Sequence, residues 1–349
     1  MSFKISPKEL FFKFVSVFFQ NVIMSFLVFR LFVADDILAE KGFPASFNAM
    51  IDGTAARPFV LRTLVPSTIR FIRDLLPGTL KDNIKAYFAP KMWYPFYLKT
   101  DRAVDYLIAL IIIFLLFFGF SLVLKSIAKH FYRDEPFLQH ISFFAGMLII
   151  PLCFNYGHFV YDAGTLCLFA LGVLLVIKER VLLMLLFFPL LVLNKETSVL
   201  LILIFIAFQY KKMPVVKMTV ISSIMGIVWL VIRAYILKIY ANNPGSVAEF
   251  HLFDHNLVLF YSKPGVALYF LVAVAVIGSL IFSDWKSKNP FLRKGFLIIL
   301  LPLFTLSLFF GYMDELRQFY EAAPFAALLM APTIAKIYQI PRRNTEAKI

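Results

Sequence analysis

Charge is scarce in this 349-residue chain: Asp, Glu, Lys and Arg make up 16% of it, where a soluble globular surface needs roughly 25% or more. That shortage excludes an ordinary water-soluble domain. With 61% hydrophobic residues and a mean hydropathy of +0.81, the chain reads as an integral membrane protein. Cysteine is nearly absent. Cys153 and Cys167 lie inside apolar runs, where they offer no ligand cluster and no information about redox compartment. The short alternating segments of a membrane β-barrel are missing. Also missing are a Gly-rich phosphate loop, a nucleotide-fold signature, a Ser-His-Asp pattern and a reactive-cysteine context, so ATP-driven pumping by this chain is not expected. No internal repeat, coiled-coil heptad or low-complexity tract is visible.

Long apolar runs are present instead, recurring from Phe14 to Ile337. Helices over 14–34, 104–124, 137–153, 160–177, 181–194, 197–210, 216–237, 264–282, 295–312 and 320–337 predict an all-α, polytopic protein of about ten spans, with residues 1–349 forming a single transmembrane domain. Lys4, Lys8 and Lys13 precede the first run, but no small-residue cleavage pattern closes it before Asp35 and Asp36, so it reads as an uncleaved span.

The formal charge of +14 does not point to nucleic acid, because most basic residues flank spans, where topology and anionic lipid headgroups account for them. Their distribution orients the chain. With both termini inside, the inner connections hold Lys125, Lys129 and Arg133; Lys178 and Arg180; Lys211, Lys212 and Lys217; and Lys286, Lys288, Arg293 and Lys294, with Arg342 and Arg343 in the tail. The short outer connections hold little beyond Lys195 and Arg317. Merging 181–210 into one crossing would invert everything after it and violate this bias.

Two outer segments are longer. Residues 35–103 contain RPFVLRTLVPSTIRFIRDLLPG, whose mixture of Arg57, Arg62, Arg70 and Arg73 with apolar residues predicts one or two interfacial amphipathic helices, limited by Pro66. Residues 238–263 form a second outer loop with a turn at Asn242–Gly245 and two histidines, His251 and His255, in HLFDH. That pair has helical spacing but no convincing ligand set, so no metal site is assigned.

The candidate chemistry lies on the same predicted face. Asp35 and Asp36 either cap the first span or supply a general base at the mouth of an outer cavity. Arg57 and Arg62 are interfacial anchors or holders of a phosphate, since a guanidinium offers several rigid donors to its oxygens. Lys195 and Glu196 stand side by side between two apolar runs. Neighbouring helical side chains face apart, so they would seek different partners: Lys195 an anionic ligand or Asp162, Glu196 either Arg317 or a sugar hydroxyl. In DELRQFYEAAP, Glu315 would orient Arg317 toward a lipid-linked phosphate.

The order of these elements, an acidic pair after the first span, then RPFVLRTLVP, YDAG, NKETS and DELRQFYEAAP, resembles bacterial polytopic proteins of the GT-C superfamily of lipid-linked glycosyltransferases. The resemblance is diffuse and covers most of the chain. It implies a GT-C-like enzyme of the bacterial cytoplasmic (inner) membrane that takes a sugar from a polyprenyl-phosphate donor and passes it to an envelope glycan or protein hydroxyl. It also places the catalytic carboxylate at Asp35 or Asp36. Arg57, Arg62, Asp162, Lys195, Glu196, Glu315 and Arg317 would line the substrate site, within a deep outer cavity. A divalent cation would assist phosphate departure, although no ligand set for one stands out and no cofactor is assigned. The alternatives are a transporter or flippase of a lipid-linked or anionic substrate, and a non-catalytic partner in envelope assembly.

Overall fold

A computed structural model describes residues 7–34, 45–88, 102–154 and 158–340. Every regular element among the described residues is helical. Among the described residues, six helices are long and apolar enough to cross a membrane: Val17–Ala34 within α1 (Pro7–Ala34), α5 (Ala103–Phe131), Pro136–Cys153, α10 (Val215–Ile239), α12 (Pro264–Phe282) and α13 (Pro290–Phe310). Between α1 and α5 lie three shorter helices, α2 (Phe47–Asp52), α3 (Leu64–Leu75) and α4 (Gly78–Phe88). Four further predicted spans are helical but short, namely α7 (Asp162–Ile177), α8 (Val181–Asn194), α9 (Leu200–Gln209) and α14 (Ala323–Ile337). Six spans are thus supported by length and composition. The tenfold count is not.

Proline explains most of the boundary differences. Pro136, Pro264 and Pro290 open α6 (Pro136–Ile149), α12 and α13 at the first turn, where a missing N–H breaks no intrahelical bond. Pro151 stops α6, which tightens into a 3-10 turn over Pro151–Cys153. Pro66 was expected to interrupt a helix, yet it sits in the first turn of α3 and costs that helix nothing.

Two of the short helices, α7 and α14, are interior ones. Successive residues of α14 are buried from Ala323 to Thr333, and α7 is buried on most of its circumference. These two helices pack against α5 and α6 at the centre. Gly146 of α6 permits one close approach, since a Cβ there would meet Leu124 at 2.4 Å and Ala327 at 3.0 Å. By contrast, α10 and α12 expose large apolar side chains, including Val216, Leu230, Val231, Leu268 and Val272. A continuous apolar face of that kind suits hydrocarbon and not water.

Hydrogen bonds set the direction of α8 and α9. Asn194, ending α8, donates to Thr165 Oγ1 at 3.0 Å near the start of α7. Gln209, ending α9, donates to the Val176 carbonyl at 3.1 Å near the end of α7, and Lys212 reaches Glu179 at 2.8 Å. The two helices are therefore antiparallel arms of a hairpin folded at Lys195–Val199. A single crossing over 181–210 is excluded.

Candidate functional site

The polar residues that close these helices gather at the end of the bundle carrying the hairpin tip. Arg62 follows a 3-10 turn (Phe59–Leu61) and precedes α3, and the adjacent Thr63 N–H donates to the Leu193 carbonyl at 2.9 Å, fixing this bend on α8. The Arg62 guanidinium meets Glu196 with both carboxylate oxygens, Nη2 to Oε1 at 2.9 Å and Nε to Oε2 at 3.4 Å. Its third nitrogen donates to the Tyr161 hydroxyl, and its carbon lies 4.8 Å from the Tyr161 ring centre. Burial disfavours the Arg62 charge, but Glu196, Tyr161 and Asp162 outweigh that effect and hold it protonated. Trp229 of α10 donates to the Glu196 carbonyl at 2.9 Å, and Arg233 donates to the Leu61 carbonyl at 3.0 Å.

A second unit surrounds Arg317, which stands in a 3-10 stretch (Leu316–Ala322) leading into α14. Its Nη2 pairs with Glu315 at 2.8 Å, its Nη1 lies 3.5 Å from Asp162 Oδ2, and its carbon stacks 4.5 Å from the Phe159 ring centre. Asp162 Oδ2 also accepts the Phe159 N–H at 2.8 Å. Glu315 and Arg317, placed together by the sequence, are thus in direct contact.

The third unit is Lys195 with Glu321, 3.0 Å apart, with the Thr197 hydroxyl donating to the same carboxylate oxygen. Lys195 takes an extended backbone (φ −159°, ψ 143°) between α8 and a 3-10 turn (Glu196–Val199). That break sends Lys195 and Glu196 to different partners. A small pocket beside the pair is lined by Thr165, Leu168, Leu191, Ser198 and Glu321 among others.

Three sequence-based expectations need correction. Glu196 pairs with Arg62 and not with Arg317. Asp162 pairs with Arg317 and not with Lys195. Lys195, expected to face an anionic ligand, is paired with the buried carboxylate of Glu321. Glu321 was not singled out from the sequence. Its signal was a carboxylate immediately before the apolar run of α14, a place ordinarily read as a helix end.

Arg57 lies outside this cluster. Its Nη2 donates to the Gly245 carbonyl at 2.7 Å and its N–H to the Pro244 carbonyl at 2.8 Å, clasping together the segments that follow α1 and α10. Gly245 adopts φ +83°, and a Cβ there would lie 2.6 Å from the Arg57 carbonyl oxygen, so only glycine fits. Asp35 and Asp36, together with Asn155 and Tyr156, lie outside the described residues. HLFDH leads into a π-helical turn (Leu252–Asn256); His255 within it meets Asp314 at 2.8 Å, and His251, just before it, meets Asp254 at 3.0 Å. No group of three or more His, Cys, Asp or Glu suited to a metal occurs among the described residues.

The core of this arrangement is neutral. Arg62, Lys195, Arg233 and Arg317 face Asp162, Glu196, Glu315 and Glu321. Unpaired charges in a low-dielectric interior would be far too costly, and pairing removes most of that cost without making the pairs strongly stabilising. Fold and site together define a polytopic helical protein with a compensated ionic cluster at one end of its bundle. Comparison with models of known families, with curated proteins and with solved structures gives no match. Function therefore rests on the site itself.

Proposed function

We propose that this protein is a membrane glycosyltransferase that moves a sugar from a polyprenyl-phosphate donor to an acceptor hydroxyl at the outer face of the bacterial cytoplasmic membrane, with both termini inside. One observation carries the reading. RPFVLRTLVP, YDAG, NKETS and DELRQFYEAAP, distant in sequence, meet through Arg62–Glu196, Arg317–Asp162 and Lys195–Glu321. Charged groups held within apolar helices are expensive to keep, and their convergence favours function over four unrelated helix ends.

In this reaction the acceptor oxygen attacks the anomeric carbon as the bond to the donor phosphate breaks. Asp35 or Asp36 takes the acceptor proton, and the lipid phosphate leaves as an anion, so no separate acid is required. Arg62 is the cation assigned to the departing phosphate. Its partner Glu196 has about a third of its side chain exposed, so a phosphate can approach this pair from the surface. Lys195 and Arg317 lie deeper and brace the residues around it. If Mg²⁺ takes part, it would screen the same phosphate.

Purified protein in liposomes should transfer sugar from such a donor to an acceptor, read by acceptor mass. Activity should fall at least ~100-fold in Asp35→Asn/Asp36→Asn, the scale of a lost general base. Full turnover in that double variant would end the assignment of these carboxylates. A second reading, transport of a lipid-linked or anionic substrate, is favoured by the helix break at Lys195, because discontinuous helices build translocation sites. Movement of the donor across the bilayer with no change in acceptor mass would select it.

A further inference from the structure

We infer that Asn256 is a positioning residue: by holding the connection from α13 to α14, it sets where Arg317 lies. Between residues 241 and 263 only Asn256 and Leu259 are buried, so a polar side chain anchors an otherwise exposed segment. Asn256 is 1% exposed. Its amide donates to the carbonyls of Ser307, Leu308 and Gly311 at 3.2, 2.8 and 2.9 Å, and its Oδ1 accepts the Met313 N–H at 2.9 Å. The first two carbonyls belong to the last turn of α13, where the helix runs out of its own donors. The other two groups lie in the connection that follows, so one side chain fixes both sides of the bend. Neighbouring residues seat it: the His251 N–H donates to the Phe309 carbonyl at 2.8 Å, and His255 stacks on Tyr312 with ring centres 3.9 Å apart.

The hold is passed on to Arg317. Tyr312, between the Gly311 and Met313 contacts, presents its carbonyl to the Glu315 N–H at 3.0 Å and to Gln318 Nε2 at 3.3 Å. Gln318 Nε2 also donates to Glu315 Oε2 at 3.0 Å, the oxygen that takes Arg317 Nη2 at 2.8 Å. Gln318 lies over Gly311, where a Cβ would come within 2.3 Å of its Oε1. A guanidinium keeps a directional contact only while its carboxylates stay in place. Glu315 rides on the connection and Asp162 on α7, so a shift of the connection would pull apart the two partners of Arg317. Capping α13 would require only its own carbonyls; the contact with Met313, beyond the helix end, ties the cap to the Arg317 unit. The role bears on sugar transfer only through the reading that Arg317 braces the phosphate site, and the experiment below reads Arg317 itself, so the two fail separately.

Arginine modification by phenylglyoxal in the full chain in lipid nanodiscs, followed residue by residue by mass spectrometry, tests this with Arg62 as internal reference. Asn256→Asp keeps the acceptor for Met313 but sets a carboxylate against the carbonyls. Arg317 should then react at least about fivefold faster, the change in open population that one net hydrogen bond controls, while Arg62 keeps its rate. A lower melting temperature with Arg317 still protected would make Asn256 an ordinary helix cap and overturn the inference. Equal acceleration at Arg62 and Arg317 would also overturn it, since that is general loosening. Gln318→Ala cuts the path beyond α13 and leaves the Asn256 contacts in place. It should raise the Arg317 rate as well; an unchanged rate there rejects the path even if the Asn256 variant does not fold.

Discussion

The two ends of the bundle handle charge in opposite ways. At the hairpin-tip end, mostly buried cations and carboxylates meet in close contact: Arg62 with Glu196, Lys195 with Glu321, and Arg317 with Asp162 and Glu315. At the other end, basic side chains stay largely exposed around helix terminations, where α7, α9, α12 and α14 each end on a non-glycine residue of positive φ: Glu179, Lys211, Asp284 and Gln339. Lysines here serve carbonyls as well as carboxylates; Lys288 donates to Leu280 and Ile281 at 2.8 and 2.7 Å, closing the last turn of α12. Electrostatics at this end follow helix polarity and solvent. At the hairpin-tip end they follow the pairing of buried charges, without which those charges would be far too costly to keep.

The largest test of this contrast removes one partner from each end. Glu321→Ala strands Lys195 and should lower unfolding stability by about 3–5 kcal/mol, whereas Lys336→Ala, which breaks the exposed 2.6 Å pair with Asp284, should cost about 0–1 kcal/mol. Equal shifts in detergent thermal unfolding would erase the distinction. Arg317→Met should approach the Glu321 result, since it strands Asp162 and Glu315 together. Its loss should be partly relieved in the triple change with Asp162→Asn and Glu315→Gln.

Arg62→Lys keeps the charge but loses the two-pronged contact with Glu196 and the stacking on Tyr161. A cost of about 1–3 kcal/mol is expected, and sugar transfer should fall further than stability explains. Retention of wild-type transfer would remove Arg62 from the phosphate role. The smallest effect is pH dependence at Lys288. Burial lowers its pKa from 10.5 to about 8 against the opposing pull of Asp284. The folded protein thus binds this proton less tightly than the unfolded chain, so stability should rise between about pH 8 and 10.5 relative to Lys288→Met. A flat difference between the two proteins across that window would contradict the shift.

Much of the fold was legible because helix placement depends on local apolar runs, and the ten predicted runs coincide with helical segments, several shifted by prolines or 3-10 turns. Span count was less legible, since length alone cannot tell a lipid-crossing helix from a short interior one such as α14. The site was half readable. Charges beside apolar runs drew attention to Arg62, Asp162, Lys195, Glu196, Glu315 and Arg317, yet pairing depends on which helix ends meet, and one-dimensional spacing carries no such information. Glu321 escaped because it looks like an ordinary end residue until Lys195 is placed opposite. Tyr161 stands among the polar residues around the turn before α7, but its partner was unreadable, its hydroxyl becoming significant only when Arg62 arrives from another loop.

The α8–α9 hairpin has arms of 14 residues, counting the 3-10 turn with α9, each rising about 21 Å. Hydrocarbon is about 30 Å thick, so arms rooted at one surface stop well short of the other. In the proposed reaction a donor on a long isoprenoid tail would travel within the bilayer and meet the hairpin tip from the side, while a water-borne nucleotide sugar would first have to shed its hydration. The height of the loop would then act as a filter on which carriers arrive.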